Sequence, residues 1–113
     1  MRMWMVDTKI LCKQHLMGEY REHFAIAGLM RLKRRFDGYI RNNLVEPTAI
    51  TNRFKSIREE MLSRGYEPKK EFISPDISYL PEEHRNYKVN VQSSLDDLLG
   101  RCPECTKRSK TIN

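Results

Sequence analysis

Helical spacing puts Leu11, His15, Gly18, Glu22 and Ala25 in one row, and Glu22 is the only acid in it. A carboxylate in that place can stabilise developing positive charge or move protons. Gly18 stands one turn earlier, at a cost of about 1 kcal/mol relative to alanine. That cost makes sense where another molecule must come close to the backbone. Arg21 and Gln14 flank the row and can hold a phosphate or a base edge. The competing reading of Glu22 is a surface pairing with an arginine, which needs no chemistry at all.

The cysteines form a second set of chemically able residues. Cys102 and Cys105 make a C-x2-C pair, and Cys12 and His15 stand three residues apart on one helix. Four such ligands suit a structural zinc ion that would pin the last helix's exit to the first helix. Two pairs so distant in the chain have no sequence reason to meet. Buried free thiols are therefore expected, with no metal ligand assigned and no cofactor required. His23 and His84 have no evident partners, and Trp4, Tyr20, Phe24 and Tyr39 are expected in the core.

The elements that must position these residues follow from periodicity. Asp7 or Thr8 can cap a helix running from about Lys9 to Ala27, with Leu16, Tyr20, Phe24 and Ala27 as its apolar repeat. Gly28 can bend or end it, Leu29 to Phe36 can add a short helical segment, and Asp37-Gly38 reads as a turn. Pro47 and Thr48 open a second helix with Ile50, Phe54, Ile57 and Met61 buried, and Gly65 just past its end. Its opposite face carries Arg53, Lys55 and Arg58. Residues 66–90 hold Pro68, Pro75 and Pro81 and read as an extended loop. Asn90 can cap a third helix, with Val91, Leu95, Leu98 and Leu99 apolar and Gly100 as its stop. The expected fold is all-α: one compact domain, 1–106, of three main helices with long irregular loops, then a flexible polar tail, 107–113.

The chain's 113 residues suit one domain. Net charge is +6, and residues 1–58 carry 12 Lys or Arg against 5 Asp or Glu, while the remainder carries 9 against 10. A one-sided basic excess is the footprint expected for a polyanion partner. No apolar run approaches a membrane span, and MRMWMVDTK does not read as a signal peptide. The odd number of cysteines, three, also argues against a secreted disulfide framework, so a cytoplasmic protein is expected.

The run QHLMGEYRE, Gln14 to Glu22, resembles the first-helix motif of the phage endonuclease V type of pyrimidine-dimer DNA glycosylase and abasic-site lyase. Glu60 to Tyr66 (EMLSRGY) is similar to that family's helix end, and Asp76 to Glu83 (DISYLPEE) resembles its Asp-Ile-Ser loop. The resemblance implies a nucleophile at the α-amine of the first mature residue, followed by an arginine. Counting back without a gap puts Met1 and Arg2 at those positions, and methionine is normally retained before so large a residue. An α-amine has a reference pKa of about 7.7–8.0, so part of it is neutral near pH 7. The resemblance further implies Glu22 as the catalytic carboxylate and Arg2, Gln14 and Arg21 as DNA-contacting positions.

This chain departs from the pattern in three places. Methionine stands where the family usually has threonine, and Ala25 stands where a family arginine is found. The family's aromatic and basic C-terminal segment has no counterpart in RCPECTKRSKTIN. Arg31, Lys33, Arg34 and Arg35 can compensate for the missing arginine, and Arg31 and Arg34 join the expected DNA-binding set. The expectation is thus a DNA repair glycosylase with abasic-site lyase activity, acting in base excision repair on double-stranded damaged DNA. Pyrimidine dimers are its expected lesion, and the protein is expected to be a monomer away from membranes. The alternative is a non-catalytic nucleic-acid-binding domain, stabilised by zinc in one version.

Overall fold

Asp7 accepts a hydrogen bond from the Lys9 N–H at 3.0 Å and opens a single 3-10 turn, Thr8–Ile10, in the computed structural model, which describes residues 1–112. The backbone then extends at Leu11 and Cys12, so the first long helix, α1, starts at Lys13 rather than Lys9 and runs to Arg31. Cys12 caps it, its sulfur accepting from the His15 N–H at 3.5 Å. Gly28 does not stop this helix. Leu29 to Arg31, expected in a separate segment, continue it, and the chain turns at Lys33 with φ 56°.

Asp37-Gly38, expected to be only a turn, opens a short helix, α2, Asp37–Arg41. A 3-10 turn, Pro47–Ala49, leads into α3, Ile50–Ser63. Gly65 at φ 88° ends α3 as expected. The N–H groups of Gly65 and Tyr66 return to the carbonyls of Leu62 (3.0 Å) and Met61 (2.9 Å), a pairing that satisfies two orphan carbonyls. Residues 66–90 are mostly extended, with one helical turn, α4, Glu82–Arg85. Asn90 caps α5, Val91–Arg101, through a 2.9 Å bond from the Ser93 N–H. Gly100 lies inside α5. A last helix, α6, Pro103–Thr111, occupies most of the tail expected to be loose, and Arg108 ties it back to the Lys9 carbonyl at 2.8 Å. Asn113, the end of that expected tail, lies outside the described residues.

The fold is all-α, with six α-helices and no strand among the described residues. Four of the helices are long, one more than expected, because α6 forms. None is long and apolar enough to cross a membrane. One buried cluster joins Trp4, Leu11, Leu16, Ile57, Met61 and Leu98; another joins Met3, Ile26, Met30, Phe36, Val45 and Leu80. The N-terminal segment contributes to both. Met3, Trp4 and Val6 are all buried, which a left-handed Met5 (φ 60°) allows by bending the extended chain between them. Met3 N–H bonds the Leu44 carbonyl at 2.7 Å, and Ser94 Oγ donates to the Trp4 carbonyl at 2.6 Å.

Between the clusters lies a charge pair that overturns one expectation. Arg53, placed by the sequence reading on the exposed face of α3, is buried. Its Nε and Nη2 meet the two oxygens of buried Glu19 at 2.7 and 3.0 Å, and its Nη1 donates to the Val6 carbonyl at 2.6 Å. The reason is positional, since Arg53 follows Ile50 by three residues and precedes Ile57 by four, within the apolar stripe. Arginine suits such a site because its planar fork grips a carboxylate with two donors and leaves others free.

Removing one partner of a buried pair strands the other. Arg53→Met should therefore cost about 3–5 kcal/mol in urea unfolding, and Glu19→Leu combined with Arg53→Met should recover part of it. A cost below about 1 kcal/mol for the single variant would mean that the pair does not organise the core. Buried His23 gives a second test. Its Nδ1 lies 2.9 Å from the Glu19 carbonyl, and burial lowers its pKa from 6.5, opposed by Glu19 and aided by Arg53. The unfolded state then binds more protons below that value, so stability is full above pH 6.5 and declines as pH falls from there. His23→Gln should flatten the midpoint-versus-pH slope between neutrality and about pH 5. An unchanged slope would assign the acid sensitivity elsewhere.

Candidate active site

Glu19 points into the core from α1, and Glu22, three residues later, emerges on its outer row. There it meets the start of the chain. The α-amine of Met1 lies 3.7 Å from Glu22 Oε1, with the two side chains 26% and 33% exposed. This is an ion-pair distance, longer than a hydrogen bond, between two residues that are each partly exposed. The position of the amine follows from the segment behind it: Met3 and Trp4 are locked in the core, and two residues remain to reach Glu22.

Gly18 shares the outer row, and a methyl group built on it would meet nothing within 4 Å. No part of the fold uses the space that the glycine leaves. His15, one turn further back, is lowered in pKa by burial and by Arg101, with Glu22 acting in the opposite sense. The carboxylate and the imidazole thus feel each other along the row.

The expected contact residues divide into two groups. Gln14, Arg21 and Arg34 are exposed, and their side chains make no hydrogen bond to the chain among the described residues. Arg31 is also exposed but donates to the Ile73 carbonyl at 3.1 Å. Arg2 turns inward. Its guanidinium donates to Asp97 at 2.7 Å and Ser94 at 3.2 Å and stacks 3.6 Å from the Trp4 ring centre. Asp97 is held below the ordinary carboxylate range, chiefly by Arg101 and also by Arg2.

Sequence reasoning missed Glu19, Arg53, Ser94 and Asp97. The first two had a readable signal, a charge on an apolar helical row. Ser94 and Asp97 had none, since nothing in the sequence shows that α5 lies beside residue 2. The thiols, expected to be buried and separate, are buried but gathered. The sulfurs of Cys12, Cys102 and Cys105 and a ring nitrogen of His15 all lie within 4.8 Å of one another, an arrangement able to hold a metal. Burial pushes the Cys105 thiol up to about 12. Cys102 is held below its ordinary value, because hydrogen bonds from Cys105, Cys12 and Glu104 outweigh its burial.

The family model described as pyrimidine dimer DNA glycosylase matches residues 1–74. The chain belongs to that family. No curated protein and no solved structure matches it. As a member of the pyrimidine dimer DNA glycosylases, the chain shares with the family the stretch holding Met1, Gly18, Glu22, Gln14, Arg21, Arg31, Arg34 and the Glu19–Arg53 pair. The match stops short of α4, α5 and α6, which supply Ser94, Asp97, Cys102 and Cys105.

In this glycosylase, Gly18 offers a test that separates stability from access. Gly18→Ala should stabilise the helix by about 1 kcal/mol, since the methyl group meets open space. Release of the damaged base from DNA should nonetheless drop at least severalfold. A variant both more stable and fully active would show that the backbone at this position is not approached.

Proposed function

We propose that the protein is a DNA glycosylase with an associated abasic-site lyase activity, acting on pyrimidine dimers in duplex DNA through the α-amine of Met1. The observation that carries this reading is the 3.7 Å approach of that amine to Glu22, between two partly exposed residues. Family membership supports the glycosylase step, and the gathering of these two groups supports the imine chemistry.

The neutral amine attacks the sugar C1′, and the bond from C1′ to the base breaks, the base leaving with the electron pair and taking up a proton. Breaking the C1′–O4′ bond then opens the sugar and gives an iminium. Its positive charge lies where the Glu22 carboxylate can stabilise it. The iminium withdraws electrons from C2′, so a C2′ proton can be lost and the 3′ phosphate expelled. Water finally hydrolyses the imine and frees the amine. Glu22 is the group within reach to move protons in the opening and elimination steps.

The nucleotide must leave the helical stack to reach the amine, and the open space at Gly18 favours that approach. Gln14, Arg21 and Arg34, exposed and unengaged, are the phosphate contacts of this reading, with Arg31 joining them once it releases the Ile73 carbonyl. Arg2 has a positioning role: through Asp97 and Ser94 it fixes the segment that carries the amine.

Borohydride reduction in the presence of abasic-site DNA should trap a covalent adduct, and mass spectrometry should place the DNA on residue 1. Acetylating the α-amine should abolish the adduct, and Glu22→Gln should lower strand cleavage by at least about 100-fold, the usual worth of a positioned acid–base group. Salt-sensitive binding without an adduct would instead make the protein a DNA-binding domain that lacks the chemistry.

A further inference from the structure

We propose that Cys12, His15, Cys102 and Cys105 form a structural zinc site that clamps the start of α1 to the junction of α5 and α6. Four observations converge on it. The first is metric. A tetrahedral zinc with bonds of about 2.3 Å to sulfur and 2.0–2.1 Å to nitrogen places two sulfurs about 3.8 Å apart and a sulfur and nitrogen about 3.6 Å apart. Cys12 Sγ lies 3.9 Å from Cys102 Sγ, and His15 Nδ1 lies 3.6 Å from Cys105 Sγ and 3.2 Å from Cys12 Sγ. All four donor atoms lie within 4.8 Å of one another, a cage for one ion and too small for a cluster of several.

The second observation is the direction of the backbone. Each sulfur receives one N–H: Cys12 donates to Cys105 Sγ at 3.2 Å, His15 to Cys12 Sγ at 3.5 Å, and Cys105 to Cys102 Sγ at 3.4 Å. A thiol needs little from such donors, whereas a metal-bound thiolate is stabilised by them. Third, Cys12 and Cys102 are the capping residues of α1 and α6, so two of the sulfurs sit where helix dipoles favour negative charge. Fourth, all three cysteines are buried and His15 is half-buried, so the corner is largely withdrawn from solvent.

The chemistry of the donors chooses the ion. Three sulfurs and one imidazole form a closed structural set for zinc, with no position left for water. Binding displaces the thiol protons of the three cysteines, and ligation through Nδ1 leaves the His15 proton on Nε2. The complex then carries one net negative charge, and the Arg101 cation, whose field reaches His15, partly offsets it. Two of the ligands, Cys102 and Cys105, come from beyond the stretch that the family model matches.

Metal analysis of protein purified without chelator should find one zinc per chain. Cobalt(II) added to the metal-free protein should give the intense visible bands and sulfur-to-metal charge transfer of a tetrahedral thiolate site. His15→Cys should keep the stoichiometry, and Cys105→Ala should weaken binding by at least 100-fold. A strong chelator should lower the thermal midpoint of the wild-type chain, and zinc should restore it. Wild-type protein with no bound metal, no tetrahedral cobalt spectrum and three thiols that react in the native state as fast as after unfolding would overturn the proposal. These wild-type measurements decide the matter even if the cysteine variants do not fold.

Discussion

Arg53 donates two hydrogen bonds to Glu19 in the buried interior, and that pair constrains the segments around it. Burying both charges costs several kcal/mol of hydration, which only close geometry and further bonds can offset. The Val6 carbonyl supplies such a bond, accepting an N–H from the arginine's third nitrogen. Three separate parts of the chain (α1, α3 and the N-terminal segment) thereby meet at one guanidinium. Val6 is five residues from Met1, and Glu19 stands one turn before Glu22. The pair that organises the core therefore also sets the separation of the groups that face each other at the surface.

The distribution of charge changes meaning once the fold is known. The basic excess of residues 1–58 is the footprint expected for a polyanion partner, yet Arg2 and Arg53 are spent inside the molecule. The cations that remain open on α1 and just past its end, Lys13, Arg21, Lys33 and Arg34, are fewer. A count of lysines and arginines overstates what a phosphate backbone would meet.

The long helices were legible because their apolar repeats are regular: the row around Leu16 and the stripe of Ile50, Phe54, Ile57 and Met61 both lie where the core is. The ends were less so. Cys12 rather than Asp7 starts α1, since a sulfur acting as a cap has little sequence precedent beside an aspartate. The last helix escaped notice because PECTKRSKT has scarcely any apolar periodicity; its one buried residue, Cys105, is held by the cysteine–histidine corner. Glu22 stood out as the one acid on its helical row, whereas Met1 entered through a family likeness, and no periodic pattern predicts that a chain terminus will fold back onto a helix. Nor could spacing alone bring Cys12 and His15 to Cys102 and Cys105, which depends on α5 and α6 lying across the start of α1.

Cys102 closes α5 and opens α6, so a single non-helical residue, with φ −125° and ψ 103°, separates two rods. A peptide joint of that kind has only two soft torsions. The orientation of the final rod thus has two degrees of freedom, and anchoring the joint's own sulfur together with that of Cys105 removes both. A corner that is mechanically a swivel becomes a fixed bracket without any loop to order. The lever arm beyond it, out to Thr111, takes its direction from those two atoms together with the Arg108 tie to the Lys9 carbonyl.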